Sequence, residues 1–225
     1  SSIFEAADAV IDDARHLAAA LLEATALDIV IYPGVGMGVA GSPDSALTWA
    51  DLAAAAAADG TRLAREVDRD QGKATYPFGA HVAVVEVDTE TGWTRLLALA
   101  AVDDCGSILN PMLVKGQQHG GIAQGAGQAL WEHARFDAHG YPLTGNLVTY
   151  HVPAATDVPS FTVSNTITPT QHNPLGAKGI GEAGTLGSTP AIHSAVMDAL
   201  APFGIRHIDM PLTPDRIWEA INAVR

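Results

Sequence analysis

Apolar residues recur at Ile3, Ala6, Val10, Leu17, Leu21 and Leu22, on or near one helical face, while Asp12, Asp13 and Arg15 fall elsewhere. That spacing predicts an amphipathic helix over residues 2–23. The helix begins almost at residue 1, with no room for a preceding element, so the sequence is expected to start in the middle of a larger fold. Residues 27–32 and 35–39 read as a hairpin around Pro33-Gly34, and 47–58 as an Ala-rich helix capped by Ser45. An alanine face of this kind points to close helix packing.

The clearest strand pair occupies 79–103. An apolar run from His81 leads through a polar turn ending at Gly92 into a second run from Trp93 to Val102. Runs this apolar predict a sheet buried, at least in part, on both faces. Asp103 and Asp104 follow at the strand end, where no further oxygen ligands stand at cation-binding spacing; a turn or an interface is the expected role. Asn110-Pro111 then opens a helix over 112–132. Its Gly116, Gly120, Gly121, Gly125 and Gly127 each lower helix stability by about 1 kcal/mol relative to Ala. Such glycines predict close approach by another backbone or by a bulky ligand. Gln117, Gln118 and Gln124 offer uncharged amides from nearly the same surface. His119 has no partner at ligand spacing and reads as a hydrogen-bonded packing residue.

Residues 137–145 form a turn-rich crossing, 147–152 a short helix or strand, and 161–168 a strand that delivers the chain to a Gly-rich stretch at 173–188. Beyond it the pattern predicts a helix over 190–200 with Pro190 in its first turn, a short strand over 205–208, and a last helix over 214–224 capped by Thr213. No internal repeat and no linker divides the chain.

Composition narrows the function classes. A hydrophobic fraction of 48% with 16% charged residues is that of a globular protein and excludes disorder. A formal charge of −13, with 12 Lys and Arg scattered singly, argues against a nucleic-acid partner. Cys105 stands alone, so no disulfide and no cysteine-held metal cluster forms within the chain, which suits a reducing compartment. No apolar run reaches the roughly 20 residues of a membrane span, and acidic residues occupy the N-terminal positions where a signal peptide carries basic ones. The expected location is cytoplasmic.

Candidate chemistry concentrates in 173–188. Five glycines there let main-chain N–H groups approach a bound group closely, and Glu182 is the one carboxylate among them. A lone Glu in a tight apolar turn is expected to be partly desolvated and so able to accept and return a proton. A solvated Gly-rich surface loop is the competing reading of the same composition. Two segments match G-x-G-x-x-G, at Gly36, Gly38 and Gly41 and at Gly179, Gly181 and Gly184, but neither combines a preceding strand with a helix opening directly from it. That context argues against a dinucleotide-binding fold. No G-x-S-x-G elbow is present either. What remains is a pair of Gly-rich, amide-bearing segments around one carboxylate, a combination suited to a large polar cofactor held by neutral hydrogen bonds beside a general base.

Three motifs then stand in order: Asp103-Asp104-Cys105-Gly106 with Asn110-Pro111; Gly116-Gln117-x-His119-Gly120-Gly121 with Gln124-Gly125; and Asn173-Pro174-x-Gly176-x-Lys178-Gly179-x-Gly181-Glu182-Ala183-Gly184. Together with the run from Arg206 to Pro214 they resemble the C-terminal part of the molybdenum-binding large subunit of the xanthine oxidase family, nearest to its carbon monoxide dehydrogenase-like and heterocycle-hydroxylase branch. The resemblance covers nearly the whole chain. It implies an α+β fold of mixed sheets with packed helices, with residues 1–225 forming the second, C-terminal molybdopterin-binding domain, incomplete relative to a full large subunit. It also implies a molybdenum-dependent hydroxylation of an aldehyde, N-heterocycle or carbon monoxide, with water as oxygen source.

Carried over by position, Glu182 resembles the family's general base and Gln117 the glutamine that hydrogen-bonds the cofactor near the metal. Lys178, Gly179, Ile180 and Gly181 would line the pterin. The implied cofactor is molybdopterin with molybdenum, in its cytosine dinucleotide form, with iron-sulfur clusters and FAD on partner subunits. The implied partners are the missing N-terminal portion of the large subunit, an iron-sulfur subunit, an FAD subunit and a small-molecule substrate. An isolated, catalytically inert fragment or assembly module is the alternative.

Overall fold

The structure is a computed structural model and describes residues 1–70 and 72–224. Although the sequence offers no obvious linker, the chain separates into two compact units, Ser1–Gly72 with Asn173–Leu175, and Lys73–His172 with Gly176–Arg225.

The first unit holds helix α1 (Ser2–Leu21), strands β1 (Ile29–Tyr32), β2 (Gly36–Val39) and β3 (Leu47–Thr48), and helix α2 (Trp49–Ala58). The hairpin around Pro33-Gly34 forms as expected, with β1 antiparallel to β2 and β2 to β3. The buried stripe of α1 coincides only in part with the apolar positions read from sequence: Leu17 and Leu22 pack partly buried against it, whereas Leu21 is exposed. Its core consists of Ala14, Ala18 and Ala19 against Ile29, Met37 and Leu52, while Ile3 is exposed. Thr48, not Ser45, caps α2: its hydroxyl accepts from the Asp51 N–H and Asp51 accepts from the Thr48 N–H, a reciprocal capping box. Ser45 is instead consumed in a short helical turn over Pro43–Ser45 ahead of β3. Of the first G-x-G-x-x-G, Gly36 and Gly38 lie in β2, where a Cβ on Gly36 would stand 1.9 Å from the Leu47 carbonyl oxygen, so close strand approach explains them; Gly41 follows the strand at φ +84°.

In the second unit, β4 (Phe78–Val87) pairs antiparallel with β5 (Thr94–Asp104), and β6 (Thr162–Thr166) joins β5 in parallel, giving the order β4-β5-β6. Helix α3 (Pro111–Leu130) lies in the long connection that a parallel pair requires. Helix α4 (Ala183–Leu200) packs on α3 and β4, and α5 (Pro214–Asn222) closes the core. That core gathers Leu96, Leu99, Ile122, Leu130, Ile192, Val196, Leu200, Ile217 and Ile221 on one face of the sheet. The other face carries exposed Val82, Val84 and Leu97, so the expectation of burial on both faces is corrected: within this unit the packed helices cover one side only.

Two further expectations fail locally. Residues 147–152 form turns, and residues 205–208 join no sheet. Helix α4 begins at Ala183, well before Pro190, which is tolerated inside it because packing on α3 and β4 outweighs the local penalty. Asn110 caps α3 as expected, accepting from the Leu113 N–H, whereas Thr213 precedes α5 without capping it through its side chain. Among the described residues no helix is long and apolar enough to cross a membrane.

Candidate functional site

The site assembles where α3 and α4 cross. A Cβ on Gly121 would stand 3.0 Å from the Gly184 Cα, and one on Gly125 would stand 2.0 Å from the Ser188 Oγ. The Thr185 hydroxyl donates to the Gly121 carbonyl at 2.9 Å. Close approach by another backbone is therefore what Gly121 and Gly125 permit. Gly116 and Gly120 have nothing within 4 Å of a Cβ position, so their side of the helix is open.

This crossing brings two expected site residues together. A Cβ on Gly181 would lie 3.5 Å from Gln117 Nε2, so the exposed Gln117 amide stands directly against the 179–182 loop. Among the described residues the N–H groups of Gly179, Ile180, Gly181 and Glu182 have no acceptor, and a Cβ on Gly179 would meet nothing within 4 Å. These N–H groups without a protein acceptor, beside an uncharged amide, are donors available to a large polar ligand held by neutral hydrogen bonds.

Glu182 immediately precedes α4, its carbonyl accepting from the Leu186 N–H and its side chain making no cap hydrogen bond. It is exposed, which corrects the expectation of a desolvated carboxylate: nothing in the second unit covers it. Lys178 also departs from expectation. Its ammonium lies 3.1 Å from Asp104 Oδ1 and 4.6 Å from the centre of the Phe78 ring, and its N–H donates to the Cys105 carbonyl at 2.7 Å. The lysine is thus turned into the protein, supporting the loop from behind.

Nor do Gln117, Gln118 and Gln124 share one surface. Gln118 is fully buried and donates from Nε2 to Asp103 Oδ2 at 2.9 Å and to the Ser164 carbonyl at 3.1 Å. Asp103 Oδ1 in turn lies 3.0 Å from Nε2 of His81, whose side chain is also buried. The adjacent Asp104 is buried too. Burial pushes its carboxyl up, but hydrogen bonds from the Gly106 N–H, Thr168, Lys178 and Thr166 outweigh that and hold it well below the usual carboxylate range. Both acids are buried hydrogen-bond hubs, not turn residues. His119 packs against Phe161, with ring centroids 6.0 Å apart, but its buried Nε2 has no partner among the described residues.

Sequence reasoning missed His81 as a member of this network. The signal was a histidine in register with the inward positions of an alternating strand, which needs a polar partner once buried. A recess of about 240 Å³ lies beside it, lined by Phe78, His81, Asp103, Ala183, Leu186 and Gly187. Among the described residues no group of three or more His, Cys, Asp or Glu is arranged to hold a metal ion.

Residues 1–159 match the family model of the molybdopterin cofactor-binding domain. The chain is 42% identical over 148 residues to the carbon monoxide dehydrogenase large chain of Hydrogenophaga pseudoflava, an alignment covering 66% of this chain and 18% of that one. It is 32% identical over 216 residues to the nicotine 6-hydroxylase large subunit of Paenarthrobacter nicotinovorans, covering 92% and 26%. The solved structure of quinoline 2-oxidoreductase from Pseudomonas putida 86 superposes with a TM-score of 0.86 at 37% identity, covering 96% of this chain and 28% of that one. The chain thus spans only about a fifth to a quarter of those relatives, 18% and 26% of the first two. With the α+β architecture, the α3–α4 crossing and the matched residues agreeing, the chain belongs to the molybdopterin cofactor-binding domain family, of the kind found in the molybdenum-binding large chains of xanthine oxidase-type enzymes.

Proposed function

We propose that the protein carrying this chain is a molybdenum-dependent hydroxylase that oxidises a carbon centre of a small molecule, an aldehyde, an N-heterocycle or carbon monoxide, with water as oxygen source. Residues 1–225 are its C-terminal cofactor-binding portion. The observation that carries the reading is the juxtaposition of the Gln117 amide with Gly181, one residue before Glu182, in a loop whose N–H groups have no acceptor among the described residues. The relatives' names support it, since they describe a carbon monoxide dehydrogenase, a nicotine 6-hydroxylase and a quinoline 2-oxidoreductase.

In this reading Gln117 and the N–H groups of Gly179, Ile180 and Gly181 hold a molybdopterin in its cytosine dinucleotide form, and Lys178 steadies the loop that presents them. The bound cofactor supplies the acceptor for the electrons that the substrate carbon gives up, and iron-sulfur clusters and FAD on partner subunits carry them away. Glu182 accepts the proton from the water-derived oxygen that becomes bonded to carbon, and later returns it to solvent. Its exposure in this chain, together with the 18–28% share of the relatives' length, favours a site completed by the rest of the large chain. By itself the segment is then an inert part.

The test is Glu182→Gln in the full-length protein. Turnover is expected to fall by about a hundredfold or more, the scale of general-base catalysis, with molybdenum and pterin content unchanged. Substantial residual turnover would overturn the role of Glu182. Gln117→Ala is expected to lower pterin content itself, read by fluorescence of the released pterin.

A further inference from the structure

Asp104 ends β5 fully buried, and two groups from distant parts of the second unit converge on it beside the local Gly106 N–H. Oδ1 accepts from the Gly106 N–H at 2.9 Å and from Lys178 Nζ at 3.1 Å, while Oδ2 accepts from the Thr166 hydroxyl at 2.9 Å. The Lys178 side chain is 10% exposed, closed in by Phe78, which pairs with Asp104 across the β4–β5 ladder. Around this pair the backbones are stitched together. The Lys178 N–H donates to Cys105, the Ser107 N–H donates to the Gly176 carbonyl at 2.9 Å, and Gly106 bridges Ala177. Gly106 sits at φ +68°, and a Cβ there would stand 2.2 Å from the Gly176 carbonyl oxygen, so only glycine lets the strands meet.

From that clamp the chain runs through 179–182 without a backbone N–H partner among the described residues and enters α4, which is held on α3. The neighbouring Asp103 holds α3 itself through Gln118. Two adjacent carboxylates therefore reference both halves of the candidate site, the Gln117 helix and the Gly181-Glu182 loop, to one strand end.

We propose that the buried Asp104–Lys178 pair is a positioning lock, which fixes the register of the 179–182 loop against β5 so that Glu182 and the free N–H groups face the same ligand as Gln117. The inference deepens the function proposed above and rests on it. Charge is the reason for a lock and not merely packing. A buried ion pair adds little stability over apolar residues of the same size, but it is directional and costly to misalign. A methionine at 178 would fill the same space without fixing the loop's register.

The decisive comparison uses the full-length protein with Lys178→Met, Asp104→Asn and the double variant. Each single change leaves one buried partner without the other and lowers thermal stability, while the double change removes both charges and restores most of it. Hydrogen exchange is followed in cofactor-free protein at the Ser107 and Lys178 amides, which stitch the two segments. These amides are expected to exchange about tenfold or more faster in the double variant despite its restored melting temperature. Pterin and molybdenum content per folded protein is expected to fall in parallel. Wild-type exchange at both amides in the double variant would overturn the lock. If the wild-type protein carries neither pterin nor molybdenum, the function proposed above fails, while the exchange measurement still decides the lock.

Discussion

Replacing Gly125 with alanine tests the account of the α3–α4 crossing, because two effects of opposite sign meet there. In an open helix position Gly→Ala stabilises by about 1 kcal/mol through propensity alone. At Gly125 the new methyl would lie 2.0 Å from Ser188 Oγ, 2.9 Å from Thr189 Oγ1 and 3.1 Å from the Thr185 carbonyl oxygen. Ser188 is fully buried, and the Thr189 hydroxyl already donates to the Thr185 carbonyl at 2.9 Å, so moving either oxygen disturbs a packed or hydrogen-bonded position. Overpacking of this kind costs about 1–3 kcal/mol, and a displaced hydroxyl adds roughly 1 kcal/mol. The net expectation is a loss of about 1–3 kcal/mol, a fall in melting temperature of about 2–4 °C for each kcal/mol. Gly120→Ala is the control. Its Cβ meets nothing within 4 Å, so it is expected to stabilise by about 0.5–1 kcal/mol. Urea unfolding by far-UV circular dichroism, with hydrogen exchange on α3 as the local readout, measures both. Adding Ser188→Gly to Gly125→Ala should recover part of the loss, a coupling of about 0.5–3 kcal/mol. A stabilised Gly125→Ala, or one moving in the same direction as Gly120→Ala, would refute the packing argument.

Other consequences are testable separately. Because the Asp104 carboxyl is held below its unfolded value of about 3.9, its contribution to stability is complete above roughly pH 4 and is lost as pH falls further. Acid denaturation of Asp104→Asn should therefore lack that part of the slope, and identical slopes would count against the assignment. Burial pushes the Cys105 thiol up, so iodoacetamide at mild alkaline pH should label the unfolded chain but not the native one, read by mass. Gly92 and Gly204 both have φ near +75° to +78°, but a Cβ on Gly92 would strike the Pro214 carbonyl oxygen at 2.0 Å while Gly204 faces open space. Gly92→Ala should therefore lower the melting temperature well beyond Gly204→Ala, which carries only the backbone penalty of about 1 kcal/mol.

Much of the element pattern was legible because periodicity and punctuation agreed. The Pro33-Gly34 turn, the β4–β5 pair and the Asn110-Pro111 opening of α3 are each specified within a few residues. Helix α4 was misread because its first turns carry Gly184, Gly187 and Pro190, residues that lower local propensity; the reason for the two glycines is close packing against α3 and against the His81 ring, which no local window contains. The same limit applies to Asp103 and Asp104. Whether two acids at a strand end face water or a core depends on Gln118, Thr166 and Lys178, which lie 15 to 74 residues away in sequence. Glu182 and Gln117 were singled out through motif resemblance, whereas the 3.5 Å approach between Gln117 and the Gly181 Cβ position needed the folded helix pair.

The distances along the chain between Asp104 and its partners also set an order of events during synthesis. Thr166 follows it by 62 residues and Lys178 by 74. At about 5–20 residues per second, the β4–β5 hairpin emerges several seconds before the groups that will bind its terminal carboxylate. Over that interval the nascent hairpin carries solvated carboxylates beside an apolar face, a charge that opposes pairing with neighbouring chains. On arrival Lys178 both pairs with the Asp104 carboxylate and anchors the loop, so the segment bearing Glu182 takes its place only after the sheet beneath it exists.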